Sequence, residues 1–138
     1  MTNSDCNEGS SILVTAAIIL KENKVLLIKR AREPYQNHWC FPGGVGSLKK
    51  YSNPADAVAD EVKIDLGCEF EPSFFTYSYG KFEVPTVTLF FKGSISGIVK
   101  ENSKHVQESR WFELDEAVGK ELGFDHKHVL ERLIDTLS

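Results

Sequence analysis

The chain has 138 residues, 41% of them hydrophobic and 26% charged, with a formal net charge of −4. This length and composition are typical of a soluble globular protein with one domain and a substantial core. The 16 Lys and Arg residues are spread along the chain without a basic patch, which excludes a nucleic-acid polymer from the expected partners. An anionic small molecule remains compatible with the acidic balance, because a bound metal ion can reverse the local field.

Cysteine usage and hydropathy indicate a reduced, cytoplasmic protein. Cys6, Cys40 and Cys68 are an odd number at irregular spacing, which fits neither a disulfide framework nor a paired metal motif. We expect the second and third to be buried thiols. The longest apolar run, residues 12–20, is too short to span a bilayer and does not follow a basic signal-peptide start, so no membrane partner is predicted. Residues 1–10 are polar and small, and we expect them to be disordered.

Two β-rich runs open the folded part of the chain. Residues 12–20 and 24–30 are separated by Lys21-Glu22-Asn23, a pattern that predicts a β-hairpin. A polar loop follows, then a short extended piece at residues 39–41. Pro42-Gly43-Gly44 ends that piece and predicts a turn.

The next segment predicts a helix over residues 54–66. Asn53 is a good N-cap, proline is tolerated at the first helical position, and Asp56 suits the positive end of the helix dipole. Gly67 supplies a left-handed stop. One apolar face recurs at helical spacing and comprises Ala55, Val58, Ala59, Val62 and Leu66.

The remaining elements complete the fold class. Strand-like segments cover residues 68–79, 85–95 and 106–112, and Leu114 to Val118 predicts a short helix. Residues 124–137 predict a final helix that Asp125 caps, with a buried stripe of Val129, Leu130, Leu133, Ile134 and Leu137. This order predicts an α+β protein, an α/β/α sandwich with a mixed sheet between helices, formed as a single domain over residues 11–138.

Glu61 and Asp65 carry the main functional hypothesis. They lie four positions apart, about one helical turn, so both leave the same edge of the predicted helix. Paired carboxylates beside a glycine-rich turn suit Mg²⁺, and Mg²⁺ suits phosphate. The alternative is a solvated polar face opposite the apolar stripe. Their place in the C-terminal half of the helix, where the dipole disfavours negative charge, favours a bound cation.

The stretch from Phe41 to Cys68 resembles the signature G-x5-E-x7-R-E-U-x-E-E-x-G-U of the Nudix hydrolase superfamily, where U is apolar. Trp39-x-x-Pro42-Gly43-Gly44 resembles the entry to that motif. Later segments resemble the ADP-ribose pyrophosphatase-like branch, so the resemblance covers nearly the whole chain from residue 12. These are Glu108-Ser109-Arg110-Trp111-Phe112 and Phe124-Asp125-His126.

The signature is degenerate in this chain. Glu61 keeps the first acid of the motif's E-U-x-E-E run, Ile64 replaces the second, and Asp65 shortens the third. Asp60 replaces the arginine, so the salt bridge that orients the carboxylates is expected to be lost or reversed. The earlier glutamate is also missing. Gly44 and Gly46 both suit the motif's first glycine, and either alignment puts Lys50 or Ser52 at the glutamate's position.

The resemblance implies Mg²⁺- or Mn²⁺-dependent hydrolysis of a nucleoside diphosphate linked to another moiety, such as ADP-ribose. Glu61 and Asp65 would be the catalytic residues and metal ligands, with Glu108 as a further ligand. The substrate would be bound by Arg30, Arg32, Gly43 and Gly44. One alternative is an impaired Nudix domain that binds a nucleotide or a protein partner without hydrolysis. Another is chemistry at the sugar carbon, as in relatives that hydrolyse GDP-mannose.

For several other residues, a functional and a structural interpretation both remain open. Lys49 and Lys50 contact a phosphate or belong to a solvated loop. His126 and His128 lack the spacing of a zinc pair and are interpreted as non-ligands. Four aromatic residues stack on a base or pack in the core or on the surface: Tyr35, Tyr77, Tyr79 and Phe82. The sequence is compatible with a monomer or a homodimer.

Overall fold

The computed structural model of the chain describes residues 11–137. The expectation for residues 1–10 lies outside the described residues. The strands are β1 (Ile12–Lys21), β2 (Lys24–Arg30), β3 (Trp39–Cys40), β4 (Gly43–Gly44), β5 (Glu69–Phe82), β6 (Val84–Ser96) and β7 (Val106–Glu113). The helices are α1 (Pro54–Leu66), α2 (Leu114–Val118) and α3 (His126–Leu137), and a 3-10 turn covers Gly46–Lys49.

The predicted hairpin of β1 and β2 is confirmed, and its two strands separate beyond the turn. They pair in antiparallel fashion only near the turn, where Lys21 lies opposite Lys24. Further along, β1 pairs with β4 at Thr15 and Ala16, and β2 pairs with β3 at Ile28 and Lys29. Because each strand has two edges and the outer ones are taken by β6 and β7, the segment from β3 to β4 lies between the diverging ends of the hairpin.

The prediction of a turn at the two glycines is wrong, since Gly43 and Gly44 are extended and form β4. The reason for a glycine at the first position is close approach to β1. A Cβ atom on Gly43 would lie 2.0 Å from the backbone oxygen of Thr15, far inside van der Waals contact. Glycine therefore lets the segment enter the sheet at this position.

All seven strands form one mixed sheet. The order along the main path is β3-β2-β1-β6-β5, with β4 paired to β1 and β7 paired to β2. The β1–β6 pair is parallel and the other pairs are antiparallel. The predicted mixed sheet is confirmed.

Two hydrophobic layers cover the sheet, and alternation along the strands assigns residues to each. Ala16 and Ile18 of β1 face one layer, and Ala17 and Ile19 face the other. The layer called here the α2/α3 layer includes Leu114, Ala117, Val129, Leu130 and Leu133. The α1 layer includes Val58, Val62, Leu66, Phe70 and Phe91. The predicted α/β/α sandwich is therefore confirmed.

Local chemistry sets both ends of α1 where it was predicted. The side chain of Asn53 accepts a hydrogen bond from the backbone N–H of Ala55 at 2.9 Å, and Pro54 is the first helical residue. Gly67 ends the helix with φ of 71°.

The final helix begins two residues later than predicted. Phe124 has φ of 58°, a left-handed conformation that a right-handed helix excludes. The expected cap is not formed at Asp125 Oδ1, which is buried and has no hydrogen-bond partner among residues 11–137. In the same described part of the chain, no helix is long and apolar enough to cross a membrane.

Candidate functional site

The two acids of α1 are buried and do not form a solvated face. Glu61 is 9% exposed and Asp65 is 5% exposed. The exposed surface of this part of the helix is formed instead by Lys63 and by Ile64, which is 47% exposed. Burying two neighbouring carboxylates is unfavourable unless hydrogen bonds or opposite charges compensate, so their surroundings are informative.

Glu61 lies against the diglycine segment. The backbone N–H of Ser47 donates to Glu61 Oε1 at 3.0 Å. A Cβ atom on Gly44 would lie 3.5 Å from the Glu61 carboxylate. The structure thus brings together the acid and the glycine that the sequence placed 17 positions apart.

Asp65 lies among groups that partly compensate its burial. Burial is the largest cause, and the charge of Glu61 the second, of a pKa of Asp65 raised to about 6. A hydrogen bond with Ser103 and the charge of Arg32 act in the opposite direction. The backbone N–H of Asn102 also donates to the Asp65 carbonyl at 2.9 Å. Nothing in the sequence pattern marked Ser103, because it comes from a polar loop far along the chain.

A cavity of about 250 Å³ lies beside the diglycine segment. All four residues predicted to bind substrate line it: Arg30, Arg32, Gly43 and Gly44. Its floor includes residues of β1 and β6 that face the α2/α3 layer, among them Val14, Ala16 and Thr88. The cavity therefore joins two guanidinium groups to a largely apolar interior.

Aromatic rings form one wall of this cavity. Phe82 and Phe124 line it with ring centroids 5.3 Å apart, and Tyr35 packs on both, at 6.3 and 4.7 Å. The Arg30 guanidinium lies 5.0 Å from the Phe124 ring centroid. Of the four residues predicted to stack on a base or to pack, Phe82 lines the cavity and Tyr35 packs against its aromatic wall. Tyr77 and Tyr79 lie elsewhere, exposed on the sheet face of the α1 layer.

His126 contributes a buried imidazole to the same cavity. The backbone N–H of Phe41 donates to His126 Nδ1 at 3.0 Å, and the two rings stack with centroids 4.7 Å apart. Burial lowers the pKa of His126 to about 3, so the ring is neutral near pH 7 and its proton lies on Nε2. The sequence predicted only that His126 is not a metal ligand, and it did not place the residue in a cavity.

The salt bridge of the motif's arginine was expected to be lost or reversed. It is reversed, because Asp60 stands in the arginine's place and pairs with a lysine. Lys50 Nζ lies 3.5 Å from Asp60 Oδ2, and Ser47 Oγ donates to the same oxygen at 2.7 Å. The Ser47 hydrogen bond is the main cause of a lowered pKa of Asp60. Because the backbone of Ser47 also binds Glu61, the Lys50–Asp60 pair holds the turn that orients one carboxylate of the site. Lys49 is exposed.

Glu108 is not brought to the acid pair. It forms an ion pair with Arg110, and both share a strand face with Phe112, which packs in the α2/α3 layer. Helix α1 covers the opposite face of the sheet. Glu101, another acid that follows the helix in the chain, accepts hydrogen bonds from the backbone N–H and the hydroxyl of Ser109.

The donor set fits one divalent cation better than several. Among residues 11–137 no group of three or more His, Cys, Asp or Glu side chains is placed to hold a metal ion. Glu61 and Asp65 remain as two buried, neighbouring carboxylates with Gly44 beside them. Mg²⁺ is commonly bound by one or two carboxylates and keeps several water ligands. Two neighbouring carboxylates are compatible with that coordination.

A sequence model of the NUDIX domain matches residues 11–133 of the chain. No curated protein matches it.

Solved structures share the fold. A MutT NUDIX hydrolase from Burkholderia pseudomallei has a TM-score of 0.79 at 23% identity, covering 90% of this chain and 98% of its own. The NUDIX domain of NrtR from Shewanella oneidensis, solved with ADP ribose, has a TM-score of 0.82 at 18% identity, covering 100% of both chains. The E. coli ORF135 protein has a TM-score of 0.82 at 21% identity, covering 96% and 94%. With a family match over almost the whole described chain, this protein belongs to the NUDIX domain family.

Proposed function

We propose that the protein hydrolyses a nucleoside diphosphate linked to another moiety, using one Mg²⁺ or Mn²⁺ held by Glu61 and Asp65. The observation that carries the proposal is the burial of these two acids beside Gly44. Gly44 in turn lines the cavity together with Arg30 and Arg32. The NrtR domain solved with ADP ribose supports a nucleotide derivative as the ligand class.

The chain's own groups divide the work of binding and orientation. The Arg30 and Arg32 guanidinium groups suit phosphate oxygens, and the aromatic wall suits the flat base. Hydrogen bonds from Ser47 and Ser103 hold the two carboxylates in place. A divalent cation bound there would neutralise charge on the phosphates and lower the pKa of a bound water.

The test is cleavage of a panel of ADP-ribose, sugar nucleotides, dinucleoside polyphosphates and nucleoside triphosphates with Mg²⁺ or Mn²⁺. Release of AMP and a phosphorylated sugar from ADP-ribose is the expected result. Glu61→Gln should lower kcat by about 10²-fold or more, since it removes a charged group that acts on the transition state. Its circular dichroism spectrum should stay that of the wild type.

Asp56→Asn is the matched control, because Asp56 is an exposed acid on the same helix. Its turnover should equal that of the wild type. Full turnover in Glu61→Gln would remove Glu61 from the mechanism and refute the assignment.

Binding without hydrolysis is the second candidate, and the exposed Ile64 favours it. An isoleucine offers no oxygen at the place where the family motif has its second acid. If no member of the panel is cleaved but one of them raises the melting temperature, binding alone is the function.

A further inference from the structure

The floor of the cavity holds two polar groups that have no hydrogen-bond partner for one of their atoms within the described part of the chain, residues 11–137. His126 is 5% exposed, and its Nδ1 is occupied by the Phe41 N–H. No residue between 11 and 137 accepts a hydrogen bond from its Nε2–H. Thr88 is also 5% exposed and lines the same cavity, and its hydroxyl likewise has no partner among these residues.

The orientation of the His126 ring is fixed by its neighbours. Phe41 stacks on it, while Phe90 and Phe124 lie with ring centroids 5.5 and 5.3 Å away. The tautomer protonated on Nδ1 would set an N–H against the Phe41 N–H, two donors facing each other, and a ring flip would replace the acceptor nitrogen by the Cδ2–H. The imidazole therefore offers the cavity one donor and no acceptor.

A ligand that fills the cavity displaces water from the Nε2–H, and a buried donor left without a partner then costs free energy. A ligand that offers an acceptor removes that cost, and a ligand that offers a second donor does not. Thr88 adapts to either case, because a hydroxyl both donates and accepts. The discrimination between ligands at this floor thus depends on the histidine.

We propose that His126 is the specificity-determining residue of the cavity and that its Nε2–H donates to an acceptor atom on the substrate's heteroaromatic base. The inference rests on the proposed function in assuming that a nucleotide occupies the cavity. It adds the element of recognition that selects one base over another.

The experiment measures the affinity of ADP, GDP, CDP, UDP and inorganic pyrophosphate by calorimetry in the presence of Mg²⁺. The four bases differ in where they carry acceptors and donors. We expect the wild type to bind the best of the four about tenfold or more tightly than the worst, because a buried polar group rejects a mismatched ligand.

His126→Phe keeps an aromatic ring and removes the donor. It should reduce the spread among the four nucleotides to about threefold or less and leave the affinity for pyrophosphate unchanged. His126→Gln should reduce the spread as well, because its amide presents either a donor or an acceptor. This second variant serves if His126→Phe does not fold. His128→Phe is the matched control, since His128 lies exposed on the same helix, and it should keep the wild-type spread.

Three results would overturn the inference. One is wild-type affinities that agree within about threefold across the four nucleotides. Another is a folded His126 variant that keeps the wild-type ratios. The third is binding of pyrophosphate with no gain from any base, which leaves the proposed function standing. If pyrophosphate and all four nucleotides fail to bind, both this inference and the proposed function are wrong.

Discussion

Asp65 is buried beside Glu61 in a space that solvent barely reaches. Burial first, and the charge of Glu61 second, raise the pKa of Asp65 to about 6, and the Ser103 hydrogen bond and the charge of Arg32 compensate only in part. In the absence of metal the carboxylate is therefore less stable in the folded protein than in the unfolded chain. A divalent cation between the acids would reverse this preference.

The first prediction is a pH dependence of stability in EDTA. Between the ordinary pKa of 3.8 and the folded value of about 6, the folded state binds more protons than the unfolded state at Asp65. Its contribution to the free energy of unfolding therefore falls as pH rises from 4 to 6, by about 3 kcal/mol in all, and is constant above. Asp65→Asn lacks this dependence.

Urea denaturation of both proteins from pH 4 to 8 measures the difference. The variant should gain stability relative to the wild type as pH rises through this window. Parallel curves for the two proteins would show that the pKa of Asp65 is not raised.

The second prediction concerns the exposed isoleucine at position 64. Ile64→Glu adds a third carboxylate three positions after Glu61 on the same helix, and we expect about a tenfold gain in Mn²⁺ affinity. Leu137→Glu, an exposed leucine at the end of α3, is the control for the added charge and should leave the affinity unchanged. Equal Mn²⁺ affinity in all three proteins would show that the altered position does not face the cation.

At the scale of elements, the two glycines of β4 differ in how well they should tolerate substitution by a residue with a side chain. A Cβ on Gly43 meets the Thr15 backbone oxygen at 2.0 Å, whereas a Cβ on Gly44 meets only the Glu61 carboxylate at 3.5 Å, an ordinary contact. We predict that Gly43→Ala destabilises the protein by about 3 kcal/mol or more, because backbone must move.

Gly44→Ala is the matched variant and should unfold within about 1 kcal/mol of the wild type. Its effect should appear in metal affinity, since the methyl group contacts Glu61. Equal melting temperatures for the two alanine variants would contradict the inserted position of β4 between the hairpin strands.

At the scale of the whole molecule, the sheet couples two separate hydrophobic layers, and each contains one tryptophan at its border. Trp39 packs on the α2/α3 layer and Trp111 on the α1 layer. Because both layers use the same strands, we predict that they unfold together.

The single-tryptophan variants Trp39→Phe and Trp111→Phe report on the two layers separately. Within each variant, the urea transition followed by fluorescence should coincide with the transition followed by circular dichroism. A fluorescence midpoint that differs from the circular dichroism midpoint in either protein would show that one layer opens first.

The sequence predicted what local chemistry determines. Helix α1 begins and ends at the predicted residues because Asn53, Pro54 and Gly67 act within one turn of it. The site required long-range information. The cavity combines Arg30 with Thr88 and His126 from three distant segments, and no spacing in the chain links them. The side of the sheet that Glu108 faces depends on how β7 pairs with β2, which the sequence of β7 alone does not determine.

The reversed polarity of the Lys50–Asp60 pair limits how this protein can be recombined with its relatives. A loop transplanted from a protein that carries glutamate at position 50 would set two carboxylates side by side above the turn that holds Glu61. Like charges at such a distance repel. A functional chimera must therefore exchange the loop and the partner position on the helix together.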